Sequence, residues 1–178
     1  MKNRKVAITG GAGFIGANLA KELAANNSVI IIDNLSAGKK ENLIDLLGEN
    51  VKFVEGSIGD LSLLKSLFKN VDFIFHQAAI SSVPKSIEDP LATNETNVTG
   101  TLNVLLAARD SGVKKVIYAS SAAVYGDAPV LLVREDQIPN PQSPYAITKL
   151  IGEYYCQAFQ AVYGLSTVSL RYFNVYGP

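Results

Sequence analysis

An α/β domain built on a doubly wound parallel sheet is the fold class the sequence predicts, on three observations. Short apolar runs alternate with helical patterns along the chain, as a parallel sheet covered on both faces requires. No repeat, low-complexity tract or linker interrupts that alternation, so residues 1–178 read as one domain. The chain also opens on Lys5 to Gly16, KVAITGGAGFIG, an apolar strand that breaks into glycines just before a helical pattern. Gly11, Gly13 and Gly16 satisfy G-x-G-x-x-G, and Gly10, Gly13 and Gly16 the looser G-x-x-G-x-x-G. Either reading places a turn without side chains at the carboxyl end of a strand. Backbone amides and the following helix N-terminus favour a pyrophosphate there, and a Cβ would block both the turn and the approach. The turn reads as a dinucleotide cradle because a strand precedes it, a helix follows it and an acid, Asp33, ends the next strand about 20 residues on.

In chain order, helical spacing runs from Phe14 to Ala25 and stops at Asn26-Asn27. Ser28 to Asp33, SVIIID, is a buried strand with an acid at its tip. A carboxylate at that point accepts from both adenosine ribose hydroxyls and repels a 2′-phosphate, and no arginine follows it, which favours NAD over NADP. Lys39 and Lys40 lie nearby and leave room for the plainer reading, a solvated strand-end acid. A short helix is expected over Lys39 to Leu47, stopped by Gly48. Val51 to Glu55 is the third strand, and the turn Gly56 to Asp60 falls where such a sheet holds adenine. Asp60 caps a helix from Leu61 to Phe68. The fourth strand, Val71 to Phe75, runs into His76-Gln77-Ala78-Ala79, whose small residues permit close approach to a flat cofactor. His76 reads as a histidine hydrogen-bonded near a strand end rather than a base, since no acid is paired with it. Asp89-Pro90 opens a long helix through Asp110, with Gly112 as its stop and Leu102, Leu105 and Leu106 on one face; its other apolar residues are open to a partner. Lys114 to Ser120 is the fifth strand, ending in the hydroxyl-bearing run Ser120 to Gly126. Asp127 to Gln142, with Pro129, Pro139 and Pro141, is the longest irregular stretch.

Composition removes several function classes. Lys+Arg and Asp+Glu are both 16, so net charge gives no reason to expect nucleic acid or an anionic membrane as partner. The N-terminal MKNRK leads straight into the glycine turn with no apolar signal region, and no run reaches transmembrane length, so a cytoplasmic protein is expected. One cysteine, Cys156, forbids an intramolecular disulfide, and one histidine leaves no Cys/His zinc cluster; no metal is expected. The sequons at Asn26, Asn94 and Asn97 read as accidental.

Chemistry enters at Ser143-Pro144, which caps a helix whose first turns hold Tyr145 and Lys149. A spacing of four residues places phenol and ammonium on one helical face. A phenol with its ordinary pKa of about 10 is a poor base at neutral pH unless a cation stabilises the phenolate, and Lys149 is placed to do so. With the Ser121 hydroxyl holding the substrate oxygen, Tyr145 takes a proton from an alcohol as hydride leaves for a nicotinamide. Y-x-x-x-K alone is a common surface pair; the glycine turn, Asp33 and the serine-bearing strand end give it weight.

Seven segments together resemble one family: TGGAGFIG at Thr9–Gly16, DNLSAG at Asp33–Gly38, HQAA at His76–Ala79, NVTGT at Asn97–Thr101, SSAAVYG at Ser120–Gly126, SPYAITK at Ser143–Lys149 and RYFNVYGP at Arg171–Pro178. They are similar to the extended short-chain dehydrogenase/reductases, which carry NAD on a Rossmann sheet, and within them to the NAD-dependent nucleotide-sugar epimerases and dehydratases, UDP-glucose and UDP-N-acetylglucosamine 4-epimerases foremost. The resemblance implies that Ser121, Tyr145 and Lys149 form the catalytic set, Lys149 also holding the nicotinamide ribose. It implies cofactor contacts from Gly10, Gly13, Phe14, Ile15 and Gly16, from Asp33, Asn34, Ser36 and Gly38, and from Ser57 and Ile58. Gln77, Ala78 and Ala79, Asn97, and Tyr172 beside Tyr145 and Lys149 complete that set. Phe173 and Asn174, with Ser121 and Tyr145, are expected to meet the sugar nucleotide. Family members commonly carry aspartate where this chain has Ser57, so the adenine end departs from the pattern. Relatives also continue into a C-terminal substrate lobe, so the chain is expected to be an N-terminal portion of a longer enzyme. Their dimer uses the helices matching Pro90–Asp110 and Pro144–Tyr163, which implies a homodimer here.

The expected function is a UDP-sugar 4-epimerase, UDP-glucose/UDP-galactose first, in which C4 is transiently oxidised and hydride returns to the other face. UDP-N-acetylglucosamine or UDP-glucuronate as substrate, and a non-catalytic NAD-binding module of a different class, are the alternatives. Ala122-Ala123 bears on the reaction, because related dehydratases carry an aspartate-glutamate pair there and decarboxylases a glutamate at the second position.

Overall fold

The computed structural model describes residues 1–127 and 132–177. Among them six strands form one parallel sheet: β1 (Lys5–Thr9), β2 (Ser28–Asp33), β3 (Val51–Glu55), β4 (Phe73–His76), β5 (Lys115–Ser121) and β6 (Thr167–Tyr172). Their order is β3-β2-β1-β4-β5-β6. The direction of winding reverses between β1 and β4, and at that switch the strand ends part to leave a crevice. Side chains alternate across the sheet, so β1 and β2 feed two cores. Ala7, Ile30 and Ile32 pack with Phe68, Leu105 and Phe159 on one face, while Val6, Ile8, Val29 and Ile31 pack with Ala17 and Ala20 on the other. That double burial is why SVIIID is a continuous apolar run instead of an alternating one.

The covering helices are α1 (Phe14–Ala24), α2 (Leu61–Leu67), α3 (Val83–Glu88), α4 (Pro90–Asn94), α5 (Gly100–Asp110) and α6 (Pro144–Tyr163). Their starts follow the predicted chemistry. Asp60 accepts from Leu63 N at 2.9 Å, Asp89 from Ala92 N at 3.0 Å and Ser143 from Ala146 N at 3.1 Å, each satisfying an amide that has no partner within the helix. Gly164, at φ 69°, ends α6.

Five elements differ from the sequence reading. The helix expected over Lys39–Leu47 is only a 3₁₀ turn, Lys40–Leu43, pinned by buried Leu43; so short a segment has too few propagating hydrogen bonds to offset nucleation. The long helix from Pro90 to Asp110 contains a π turn, Glu95–Thr99, between α4 and α5. β4 begins at Phe73, because Val71 N–H is bonded to Phe68 O. Helix α3, with Ser82 accepting from Lys85 N and Pro84 in its first turn, and edge strand β6 were not singled out as elements. Of the irregular stretch Asp127–Gln142, residues 128–131, with Pro129, lie outside the described residues, as does Pro178. No helix among the described residues is long and apolar enough to cross a membrane.

Candidate active site

A cavity of about 1040 Å³ follows the carboxyl edge of the sheet and is walled by residues at or just past the ends of all six strands. At the end of β1, Gly10 has φ 69°, and a Cβ there would lie 2.5 Å from Ala78 N, so the turn passes under the β4 loop only without a side chain. Gly13 differs. A Cβ added to it would meet only Gly10 O, at 3.4 Å, so the space it vacates belongs to the cavity. Gly13 is also the N-cap of α1 and offers no side-chain cap, leaving the first amides of that helix to a ligand. Phe14, Ile15 and Gly16 continue the same wall.

Asp33 at the tip of β2 is buried, and backbone amides hold its carboxylate: Ala12 N donates to Oδ2 at 3.0 Å and Leu35 N to Oδ1 at 2.8 Å. It therefore presents a pre-oriented acceptor to the cavity beside Asn34, Ser36 and Gly38. Ser57 and Ile58 form the wall beyond β3. Ser57 Oγ accepts from Gly59 N at 3.0 Å, so the hydroxyl already serves its own turn. An aspartate can keep that bond with one oxygen and offer the other to the adenine amine. Ser57→Asp is expected to tighten NAD by about 10-fold, the lower end of the value of one added hydrogen bond to a charged group. Calorimetric titration of parent and variant checks this; unchanged or weaker binding would place adenine elsewhere.

Past β4, Gln77, Ala78 and Ala79 line the cavity. Gln77 Nε2 is buried without a hydrogen-bond partner among the described residues, an unmet donor of the kind a bound group satisfies. Asn97 is not brought to the wall. It is buried, with Oδ1 accepting from Ile80 N at 2.8 Å and Nδ2 donating to Ile80 O at 3.0 Å and Thr148 Oγ1 at 3.0 Å. Its expected cofactor contact is thus replaced by a bracing role, tying the β4 loop to α6 from within the π turn. His76 points into the fold, between Thr9 Oγ1 at 2.7 Å and Thr101 Oγ1 at 2.9 Å. Burial, and then the charge of Lys149, lower it to about 3, so at neutral pH it is the uncharged imidazole.

Ser121, Tyr145 and Lys149 meet at the β5 end of the cavity, with Tyr172, Phe173 and Asn174 beside them. Two contacts seat the helix that carries the pair: Ser86 Oγ accepts from Tyr145 N at 3.1 Å, and Tyr118 approaches so closely that Gly152 has no room for a side chain. Burial raises the Tyr145 phenol above its usual range, and a hydrogen bond from Ser121 works against that. Lys149 is buried, donates to Ala119 O at 2.8 Å and has its ammonium 5.8 Å from the Tyr145 ring centroid. Burial lowers it to about 8, so it is still largely cationic at neutral pH. The arrangement can hold a hydroxyl between Ser121 and Tyr145 and move its proton to the phenolate. Ser86, in α3, was not among the sequence-predicted residues; its signal, the Ser82/Pro84 helix start, was present.

The NAD dependent epimerase/dehydratase family matches residues 6–178. The UDP-N-acetylglucosamine 4-epimerase of Methanobrevibacter ruminantium, solved with UDP-N-acetylmuramic acid, is 43% identical, with a TM-score of 0.96 over 100% of this chain and 57% of its own. The Thermus thermophilus UDP-glucose 4-epimerase, solved with NAD, is 39% identical, with a TM-score of 0.88 over 98% of this chain and 56% of its own. A UDP-N-acetyl-alpha-D-glucosaminuronate decarboxylase of Bacillus cytotoxicus is 41% identical over 184 residues, covering 100% of this chain and 56% of its own length. The chain spans about half the length of the curated relatives it matches.

Proposed function

Because the chain belongs to the NAD-dependent epimerase/dehydratase family, we propose that it is the cofactor-binding half of an NAD-dependent UDP-sugar 4-epimerase, with UDP-glucose and UDP-galactose as the interconverted pair. The observation that carries this is the meeting of Ser121, Tyr145 and Lys149 with two methyl-bearing residues, Ala122 and Ala123, on one cavity wall. Its length relative to relatives supports the reading as one half of a two-lobed enzyme.

The residues present fit NAD. The space at Gly13 and the uncapped start of α1 suit a pyrophosphate, the carboxylate of Asp33 suits ribose hydroxyls, and the unmet donor of Gln77 suits an acceptor above β4. NAD, when bound, supplies the hydride acceptor and then the donor. Ser121 holds the C4 oxygen of the sugar, and Tyr145 takes its proton and later returns it. Lys149 provides the charge that offsets the burial of the phenolate. Removing water from C5 and C6, as a dehydratase does, needs a further acid and base, and Ala122 and Ala123 supply neither. The 4-keto sugar therefore leaves by taking hydride back on either face.

Asp33→Ala is expected to weaken NAD by roughly 10- to 10²-fold, the loss of charge-assisted hydrogen bonds, while improving relative tolerance of NADP. Calorimetry with both cofactors checks it, and tighter NADP than NAD in the parent would overturn the selectivity reading. UDP-N-acetylglucosamine is the second substrate reading, favoured by the 43% identical structure of an epimerase with that name. Exposed Leu91, Ile147 and Tyr154 on α4 and α6 support a homodimer through the helices at Pro90–Asp110 and Pro144–Tyr163, and the cytoplasm is the proposed compartment. The deciding experiment follows several UDP-sugars by proton NMR with the full-length protein. A C4 epimer mixture is expected; accumulation of a 4-keto-6-deoxy sugar or a pentose would sink the assignment.

A further inference from the structure

Tyr145, Lys149 and Glu153 recur every four residues along α6 and so form one stripe facing β5. Glu153 is buried, its side chain 5% exposed. Its Oε1 accepts from Ser120 Oγ and from Arg171 Nε at 2.9 Å, and its Oε2 from Arg171 Nη2 at 2.8 Å. Arg171 reaches in from β6 with its guanidinium carbon 4.6 Å from the Tyr125 ring centroid. The fork thus takes both carboxylate oxygens, the strongest geometry such a pair adopts. One helical turn away, Lys149 donates to Ala119 O and makes no ion pair among the described residues. Residues four apart on a helix are close enough to pair, and a buried carboxylate left alone takes the nearest cation or a proton.

We propose that Arg171 is a positioning residue: by occupying Glu153 it keeps the Lys149 ammonium out of an ion pair along α6 and directed at Tyr145 and the nicotinamide ribose. Among the described residues the groups that face Lys149 are Tyr145 on its own helix, Tyr118 on β5 and His76 on β4, with Glu153 the carboxyl group one turn along. With Arg171 neutralised, the Lys149–Glu153 pair becomes the favoured arrangement, and the charge that supports the Tyr145 phenolate moves about one helical turn away. The role in turnover rests on the epimerase reading; the placement of the Lys149 charge does not.

The test uses NMR of chains labelled at lysine Nζ. In Arg171→Met the Lys149 titration midpoint is expected to rise by about one to three pH units, the effect of gaining a close opposite charge. In Arg171→Met/Glu153→Gln, where no carboxylate remains to attract it, the midpoint is expected to return to the parent value. NAD affinity of the chain, by calorimetry, and kcat of the full-length protein are expected to follow the same order. Both fall in Arg171→Met, kcat by about 10²-fold as for a misplaced catalytic group, and both recover in the double variant. Arg171→Lys, which keeps the charge, is expected to hold the midpoint. If Arg171→Met does not fold, Arg171→Gln carries the same comparison. An unmoved midpoint in the single variant, or a double variant as impaired as the single, overturns the proposal and makes the pair a structural tie. If instead the parent full-length protein shows no epimerisation, the function falls while the Lys149 result stands.

Discussion

Tyr145→Phe is expected to lower kcat of the full-length protein by about 10²- to 10⁴-fold, the usual value of a general acid–base group, while NAD affinity of the chain falls by at most about 10-fold, the value of one hydrogen bond to the cofactor. The substitution is clean for structural reasons. The ring is buried, and the contact that seats this end of α6 is made by the Tyr145 backbone N–H to Ser86 Oγ, which phenylalanine retains. Only the hydroxyl is removed, and with it the proton acceptor beside Ser121. Ser121 cannot substitute, since its Oγ is already engaged as acceptor for Ala123 N at 3.1 Å and it has no base of its own. His76 cannot substitute either, being enclosed between two threonine hydroxyls behind the cavity wall. Steady-state kinetics beside a cofactor titration make the check, and a near-normal rate would return Tyr145 to the status of a packing residue.

What the sequence made legible was chemistry of short range. The glycine turn, Asp33 at a strand tip and the Tyr145/Lys149 spacing each lie within one element or one turn, where periodicity and φ preferences act directly. The cavity brings these together although they lie up to 139 residues apart, Gly10 to Lys149, because a doubly wound sheet gathers strand ends by topology. Contacts between elements were not legible. Glu153 and Arg171 look like unrelated surface charges until β6 is laid against β5, and Asn97 reads as cofactor-facing until the π turn rotates it toward Ile80 and Thr148. β6 escaped separate notice because an edge strand with one open face, Val168 and Leu170 exposed, lacks the continuous apolar run that marks β1 and β2. The Lys39–Leu47 segment differs in the other direction: its helical spacing buries Leu43 and packs Leu46 against the core, yet the run is too short to propagate beyond one turn.

Below pH 6.5 the chain is expected to lose stability steeply, and His76 is the reason. Thr101 Oγ1 donates to Asn97 O at 2.5 Å, so its oxygen accepts from His76 Nε2–H, and Nδ1 is left to accept from the Thr9 hydroxyl. The neutral imidazole fills that place in a single tautomer, and a second proton would sit on Nδ1 where an acceptor is needed. Burial first, and then the Lys149 charge, hold the ring neutral down to about pH 3 in the folded chain, whereas the unfolded chain protonates it near 6.5. Between those values the unfolded state binds the extra proton, so this stability is present above 6.5 and lost as pH falls toward 3, at about 1.4 kcal/mol per unit. Carboxylates such as Asp72 and Asp110, held low chiefly by hydrogen bonds from Lys114 and Lys65, add their own losses only at the acid end. With one histidine in the sequence, the window from about pH 6.5 to 4.5 reports on His76, and about 3 kcal/mol should disappear across it. Urea unfolding at stepped pH measures this, beside His76→Gln, which should be less stable at pH 7 yet nearly flat over the same window. Equal slopes in the two proteins would show that the buried ring takes up its proton without cost and that the threonine pair does not fix its charge.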